Sequence, residues 1–141
     1  MPEESPTTED LVRHSLRLLL EKNITGWMAL WAEDGVLEFP FAPEGWPTRL
    51  EGRQSIAEYM RHYPDHIDLH DFVDVRIHPT TEPATIVVEM RGTGRLVETG
   101  VAFDARYIAV VTAENGLIVT YRDYWNPLIV QQPGVDFTRD S

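Results

Sequence analysis

The residues with the clearest chemical potential lie near the end of the chain, in the run Val119-Thr120-Tyr121-Arg122-Asp123-Tyr124-Trp125. Side chains on a strand alternate between two faces. Val119, Tyr121, Asp123 and Trp125 therefore share one face, and Ile118, Thr120, Arg122, Tyr124 and Asn126 share the other. An aspartate between two aromatic rings loses water when buried, which raises its pKa. A tyrosine hydroxyl that hydrogen-bonds it opposes the rise. An acid tuned towards neutrality is what general acid–base catalysis needs. Asp123 is thus the candidate catalytic residue, with Tyr121 and Trp125 beside it as substrate-binding residues. A solvated aspartate paired with Arg122 fits the same residues.

A second proton carrier is His62, three residues after Tyr59 on a helical stripe, since histidine titrates near neutral pH. A histidine closing a helix, favoured there by the dipole, fits equally well. His62, His66 and His70 are spaced by four, but Pro64 interrupts the helix between them, so no metal site is expected. Other aromatics suited to a pocket wall are Trp27, Phe39, Trp46, Tyr59 and Tyr107. Trp46 lies in a Pro-rich loop, where it could form a rim or lid over a ligand. Tyr107 shares a face with Phe103, Ala105, Ala109 and Val111, whose small members leave room. Glu89 and Arg91 read as a solvated ion pair on one strand face. The sequence has no G-x-S-x-G, P-loop or G-x-G-x-x-G motif in a fitting context, so neither a nucleophile elbow nor a nucleotide cofactor is expected. No cofactor of any kind is expected.

These residues need elements to hold them. Thr7 and Asp10 fit a capping box for a helix over residues 8–22, with Leu11, Val12, Leu16 and Leu19 on its apolar face. Thr25 is placed to cap a short second helix carrying Trp27, Met28, Leu30 and Trp31. Glu33-Asp34-Gly35 is a turn signal, followed by a strand over 36–41 and a proline-rich loop over 40–47. Ile56, Tyr59, Met60 and Tyr63 mark one stripe of a third helix, stopped by Pro64. Four strand-like runs follow, over 68–78, 84–97, 102–113 and 117–127. Asn115-Gly116 is a hairpin turn between the last two. Gly92 and Gly94 inside a strand suggest a bulge or bend. Helices followed by a meander of strands read as an α+β domain, with helices on one side of a curved antiparallel sheet.

This order resembles the nuclear transport factor 2-like superfamily, and within it the SnoaL-like and ketosteroid-isomerase-related proteins. The resemblance is carried by the segment Ile24–Pro40, with its Ala32-Glu33-Asp34-Gly35 turn, by Leu50-Glu51-Gly52-Arg53 opening a helix, and by Asn115–Pro127 with its Arg122-Asp123-Tyr124-Trp125-Asn126 ending. The closing segment is also similar to that of the phenazine-biosynthesis A/B proteins. The resemblance implies a cone of three N-terminal helices and a curved sheet around a pocket, residues 8–130 as one domain, and tails at 1–7 and 131–141. It implies a small-molecule ligand and a homodimer formed through the sheets. It also implies an acid at position 123 in cyclases, epoxide hydrolases and phenazine proteins. Two departures matter. Phe39 stands where ketosteroid isomerases place their base, and Ser15 where they place a helix tyrosine. Met90 and Gly92 occupy the positions of the epoxide hydrolases' arginine–aspartate pair. The activities that remain are those of a cyclase, isomerase or hydrolase working through Asp123, or of a carrier or oligomerisation module without catalysis.

The bulk properties bound these options. One domain is expected from 141 residues, with 43% hydrophobic and 25% charged content typical of globular chains. A formal net charge of −11 disfavours phosphate backbones and anionic membrane surfaces. The N-terminus is acidic and contains Pro2 and Pro6, unlike a secretory signal, so a cytoplasmic location is expected. There are no cysteines, hence no disulfide or thiolate chemistry.

Overall fold

The computed structural model of the chain describes residues 6–131. Helix α1 spans Thr8–Leu20 and starts in the expected capping box: the Thr7 hydroxyl accepts from the Asp10 N–H, and the Asp10 carboxylate accepts from the Thr7 N–H. Its apolar face, Leu11, Val12, Leu16 and Leu18, is buried. The helix ends earlier than expected, with Lys22 at φ 60°. Asn23 rather than Thr25 caps α2 (Ile24–Met28), through a bond from the Gly26 N–H to its side-chain oxygen.

Strand β1 (Trp31–Glu38) begins within what the sequence suggested was helix. Trp31 is therefore a strand residue, and Glu33-Asp34-Gly35 falls inside the strand as an irregularity rather than before it. Pairing with β6 (Leu117–Trp125) shifts register between Trp31 and Val36. Gly35 is needed there because a Cβ would lie 2.8 Å from the Trp31 ring. The short strand β2 (Arg49–Glu51) pairs antiparallel with β1. Helix α3 covers Arg53–Met60. Pro64 does not end that helix. It opens a separate single turn, α4 (Tyr63–His66), a position where a missing N–H costs nothing.

Strands β3 (Ile67–Pro79), β4 (Thr85–Leu96) and β5 (Ala102–Glu114) complete one six-stranded sheet in the order β2-β1-β6-β5-β4-β3. The fold is thus α+β, a curved sheet with its helices in the N-terminal half. The β1–β6 pair is parallel and the other four pairs are antiparallel. A 3-10 turn, Pro127–Gln131, follows β6. The core lies between helices and sheet, with Trp31, Ile56, Phe103, Ile118 and Val111 nearly inaccessible to solvent.

Two irregularities shape the inner face. The register of β5 against β6 jumps from Thr112–Thr120 to Ala113–Ile118, leaving Val119 as an extra residue. This bulge returns Ile118 to the core, fully buried, where strict alternation put it on the outer face with Tyr124. The irregularity beside Gly94 belongs to the neighbouring strand: β3 carries the extra residue between Leu69 and Asp71. Gly94 is the point of close approach, where a Cβ would lie only 2.9 Å from the Leu69 Cα and would overlap the Asp68 carbonyl oxygen.

Candidate functional site

The inner face of the sheet and the helices enclose an apolar cavity of about 100 Å³. Strand β6 contributes Tyr121, Asp123 and Trp125, and β5 contributes Phe103, Ala105 and Tyr107. Leu37 and Phe39 enter from β1 and the residue after it, Leu16 and Leu19 from α1, and Trp27 from α2. Tyr59, Met60 and Tyr63 close the wall from α3 and α4. Asn126, an exposed residue, sits at the rim. Glycine at position 92 helps keep the space open, since a Cβ there would press on Leu69, Tyr107 and Phe72 at 3.3–3.5 Å.

Asp123 is the one acid in this lining. The residue as a whole retains some exposure, but its Oδ1 atom is removed from solvent and has no hydrogen-bond partner. Burial raises its pKa from 3.8 to about 7, because the anion loses water without gaining a cation. Four tyrosines surround it. The Tyr59 hydroxyl is pushed up to about 12, first by burial and then by the Asp123 charge. Tyr63, Tyr107 and Tyr121 are likewise raised well above the ordinary tyrosine value, burial again being the main cause. The phenols therefore stay protonated across the working range and act as neutral donors, while the carboxyl beside them is poised to gain or lose a proton near pH 7. The lining contains no lysine, arginine or histidine.

Aromatic contacts brace the wall. Phe39 packs on Tyr59 with ring centroids 5.5 Å apart, and Trp31 on Tyr121 at 6.0 Å. Of the residues singled out in sequence, Asp123, Tyr59, Tyr121, Trp125, Tyr107, Phe39 and Trp27 meet around this one cavity. Two do not. Trp46 is absent from the lining and packs against the lining residue Trp125, the two rings tilted by 59° with centroids 5.5 Å apart. His62 lies in the break between α3 and α4, its Nδ1 is 3.5 Å from the Asp65 carboxylate, and it is absent from the lining. The helical i+3 relation to Tyr59 fails because α3 ends at Met60. Tyr63, the next residue, takes the inward position. In the sequence it is the last member of the Ile56–Tyr59–Met60 stripe, a spacing that core packing explains equally well. Met60 and Leu16 give no signal beyond apolarity.

Glu89 and Arg91 face outward. Glu89 meets the His78 ring at 2.6 Å, and the Arg91 Nε donates to Asp104 at 2.8 Å, with a second bond from its terminal nitrogen. Among the described residues, no group of three or more His, Asp or Glu side chains is placed to hold a metal ion.

The SnoaL-like domain pattern matches residues 12–121, most of the fold just described. The chain belongs to the SnoaL-like family. It is 39% identical over 123 residues to the uncharacterized protein YesE of Bacillus subtilis, covering 87% of this chain and 84% of that one. It is 42% identical over 120 residues to the uncharacterized PhzA/B-like protein PA3332 of Pseudomonas aeruginosa, covering 85% and 84%. Among solved structures, a candidate isomerase from Bacillus subtilis superposes with a TM-score of 0.85 at 39% identity, covering 88% of this chain and 89% of that one. A candidate polyketide cyclase from Pseudomonas putida shares the fold at TM-score 0.74 and 16% identity, covering 86% and 93%.

Proposed function

We propose that this SnoaL-like protein is an enzyme that moves a proton on a small, uncharged, largely apolar molecule held in the cavity, with Asp123 as general acid and base. The carrying observation is the Asp123 carboxyl, set among aromatic rings with its Oδ1 buried and unpartnered. Such an atom costs stability, a cost that a hydrogen-bonding group of a ligand would relieve. Tyr59, Tyr63, Tyr107 and Tyr121 are positioned to orient the substrate and to donate to charge that develops on it. An isomerisation or cyclisation fits best, since both begin with loss of an acidic C–H proton and end with its return elsewhere. A hydrolysis would also need a water admitted to this apolar space. The relatives described as a candidate isomerase and a candidate cyclase agree with that choice.

The reading is tested with cyclopent-3-enone, small enough for the cavity. Asp123 would take the proton between carbonyl and alkene and return it to the far alkene carbon, giving cyclopent-2-enone, whose conjugation is followed by ultraviolet absorbance. Asp123→Asn should lower the rate at least about a hundredfold, the usual contribution of a positioned acid–base group. Equal accelerated rates in the two proteins would remove Asp123 from the mechanism, and rates no faster than in buffer, with the ketone bound in both, would overturn the enzyme reading and leave a carrier.

The same proposal pairs two copies across the outer sheet face. Ile108 and Phe41 are 45% and 58% exposed there, and Phe41 packs edge-on against Tyr124. Exposed apolar groups of this kind mark association surfaces.

A further inference from the structure

We propose that Trp27 is a substrate-binding donor: its indole N–H holds the hydrogen-bond acceptor, a carbonyl or equivalent neutral oxygen, of the molecule on which Asp123 acts. This inference rests on the proton-transfer reading above and adds the polarity of the ligand to it.

Two lining side chains have a buried polar atom with no partner, Asp123 through Oδ1 and Trp27 through Nε1. One is an acceptor while ionised and the other can only donate. Trp27 is 3% exposed, so water does not reach it freely, and an orphaned buried N–H is a cost that a fold tolerates when something else satisfies it. An indole N–H differs from the tyrosine hydroxyls around it, which rotate and both donate and accept. The lining offers no cationic side chain to an anion. A carboxylate or phosphate placed beside Asp123 would meet repulsion and lose its water, so the acceptor that Trp27 takes is a neutral one. A ligand with an acceptor for Trp27 and an acidic hydrogen for Asp123 satisfies both orphans at once.

Trp31 is the internal control. Its Nε1 is also buried without a partner and its ring lies 5.4 Å from that of Trp27, but it does not line the cavity. It should be indifferent to ligand.

The probes are cyclopentanone and methylenecyclopentane, of nearly equal shape, of which only the ketone accepts a hydrogen bond. In the unaltered protein, the Trp27 indole N–H proton resonance should move downfield on adding cyclopentanone and stay put with methylenecyclopentane. The Trp31 resonance should move with neither. Trp27→Phe should cut the ketone-over-alkene affinity ratio by about tenfold, the worth of one net hydrogen bond. Trp31→Phe should leave the ratio unchanged. The ratio removes any general loosening of the cavity, and the resonance shift needs no variant to fold. Absence of an indole shift up to the solubility of cyclopentanone, or an unchanged ratio in Trp27→Phe, overturns the proposal. The Asp123 carboxyl is titrated in the same samples. If it titrates near 7 while Trp27 is silent, only the donor role is lost. If it titrates near 4, the proton-transfer reading fails instead.

Discussion

Replacing Asp123 by asparagine should make the protein more stable at alkaline pH, and by an amount that the structure fixes. The native carboxyl has its pKa raised from 3.8 to about 7 by burial. A raised acid binds more protons folded than unfolded between those two values, so stability falls as pH climbs through that window. The full penalty above pH 7 is about 4 kcal/mol, from roughly three pK units at 1.36 kcal/mol each. Between pH 5 and pH 8 the wild type should lose about 2.5 kcal/mol that Asp123→Asn keeps, by integration of the same linkage. For a domain of this size that is a divergence of roughly 10 °C in melting temperature. The assay is thermal unfolding of both proteins from pH 5 to pH 8, taking the difference at each pH so that all other groups cancel. Parallel curves would refute the reasoning, because they would mean that Asp123 titrates like a solvated acid.

Other outcomes follow from the same coordinates. Gly94→Ala should cost about 3 kcal/mol in denaturant unfolding, because the new methyl overlaps the Asp68 carbonyl and backbone must shift. Asp68 is held near 2, first by its hydrogen bond from Lys22 and then by that from His70. Its stabilisation is present above the ordinary carboxylate pKa and lost as pH falls through about 2, so the deficit of Asp68→Asn should be full at pH 6 and shrink steadily to a small remainder at pH 2 in acid unfolding. His62→Ala should leave both the Asp123 titration and cyclopentanone affinity unchanged, since the imidazole faces Asp65. Ile108→Asp, on the outer face, should convert the proposed dimer to monomer in sedimentation analysis without altering the Asp123 titration.

Much of the site was legible because strand alternation is a strict rule over short distances. Tyr121, Asp123 and Trp125 lie on one side of β6 as their spacing required, and Tyr107 joins Phe103 and Ala105 on the facing strand. The rule failed where one residue was inserted: the bulge at Val119 reverses Ile118, and nothing in the local residue types announces it. Helical spacing failed at His62 for a related reason. A periodicity holds only within one continuous helix, and the chain breaks between Met60 and Tyr63. The strand Arg49–Glu51 leaves no mark in the sequence because three residues are too few to show alternation. Trp31 reads as helical because an aromatic at i+4 from Trp27 fits a helix stripe, while the strand that claims it is paired by a segment 87 positions away, at Ile118. Cavity walls built from Leu16 and Met60 are invisible in sequence in principle: a lining leucine and a core leucine are the same residue.

The central claim is that a carboxyl on the last strand lies in an apolar enclosure and exchanges its proton near neutrality. Carbon-13 NMR of the aspartate side-chain carboxyls, with Asp123→Asn used to assign the resonance, measures this directly. The account predicts a midpoint close to 7 for Asp123. A midpoint close to 4 would contradict it.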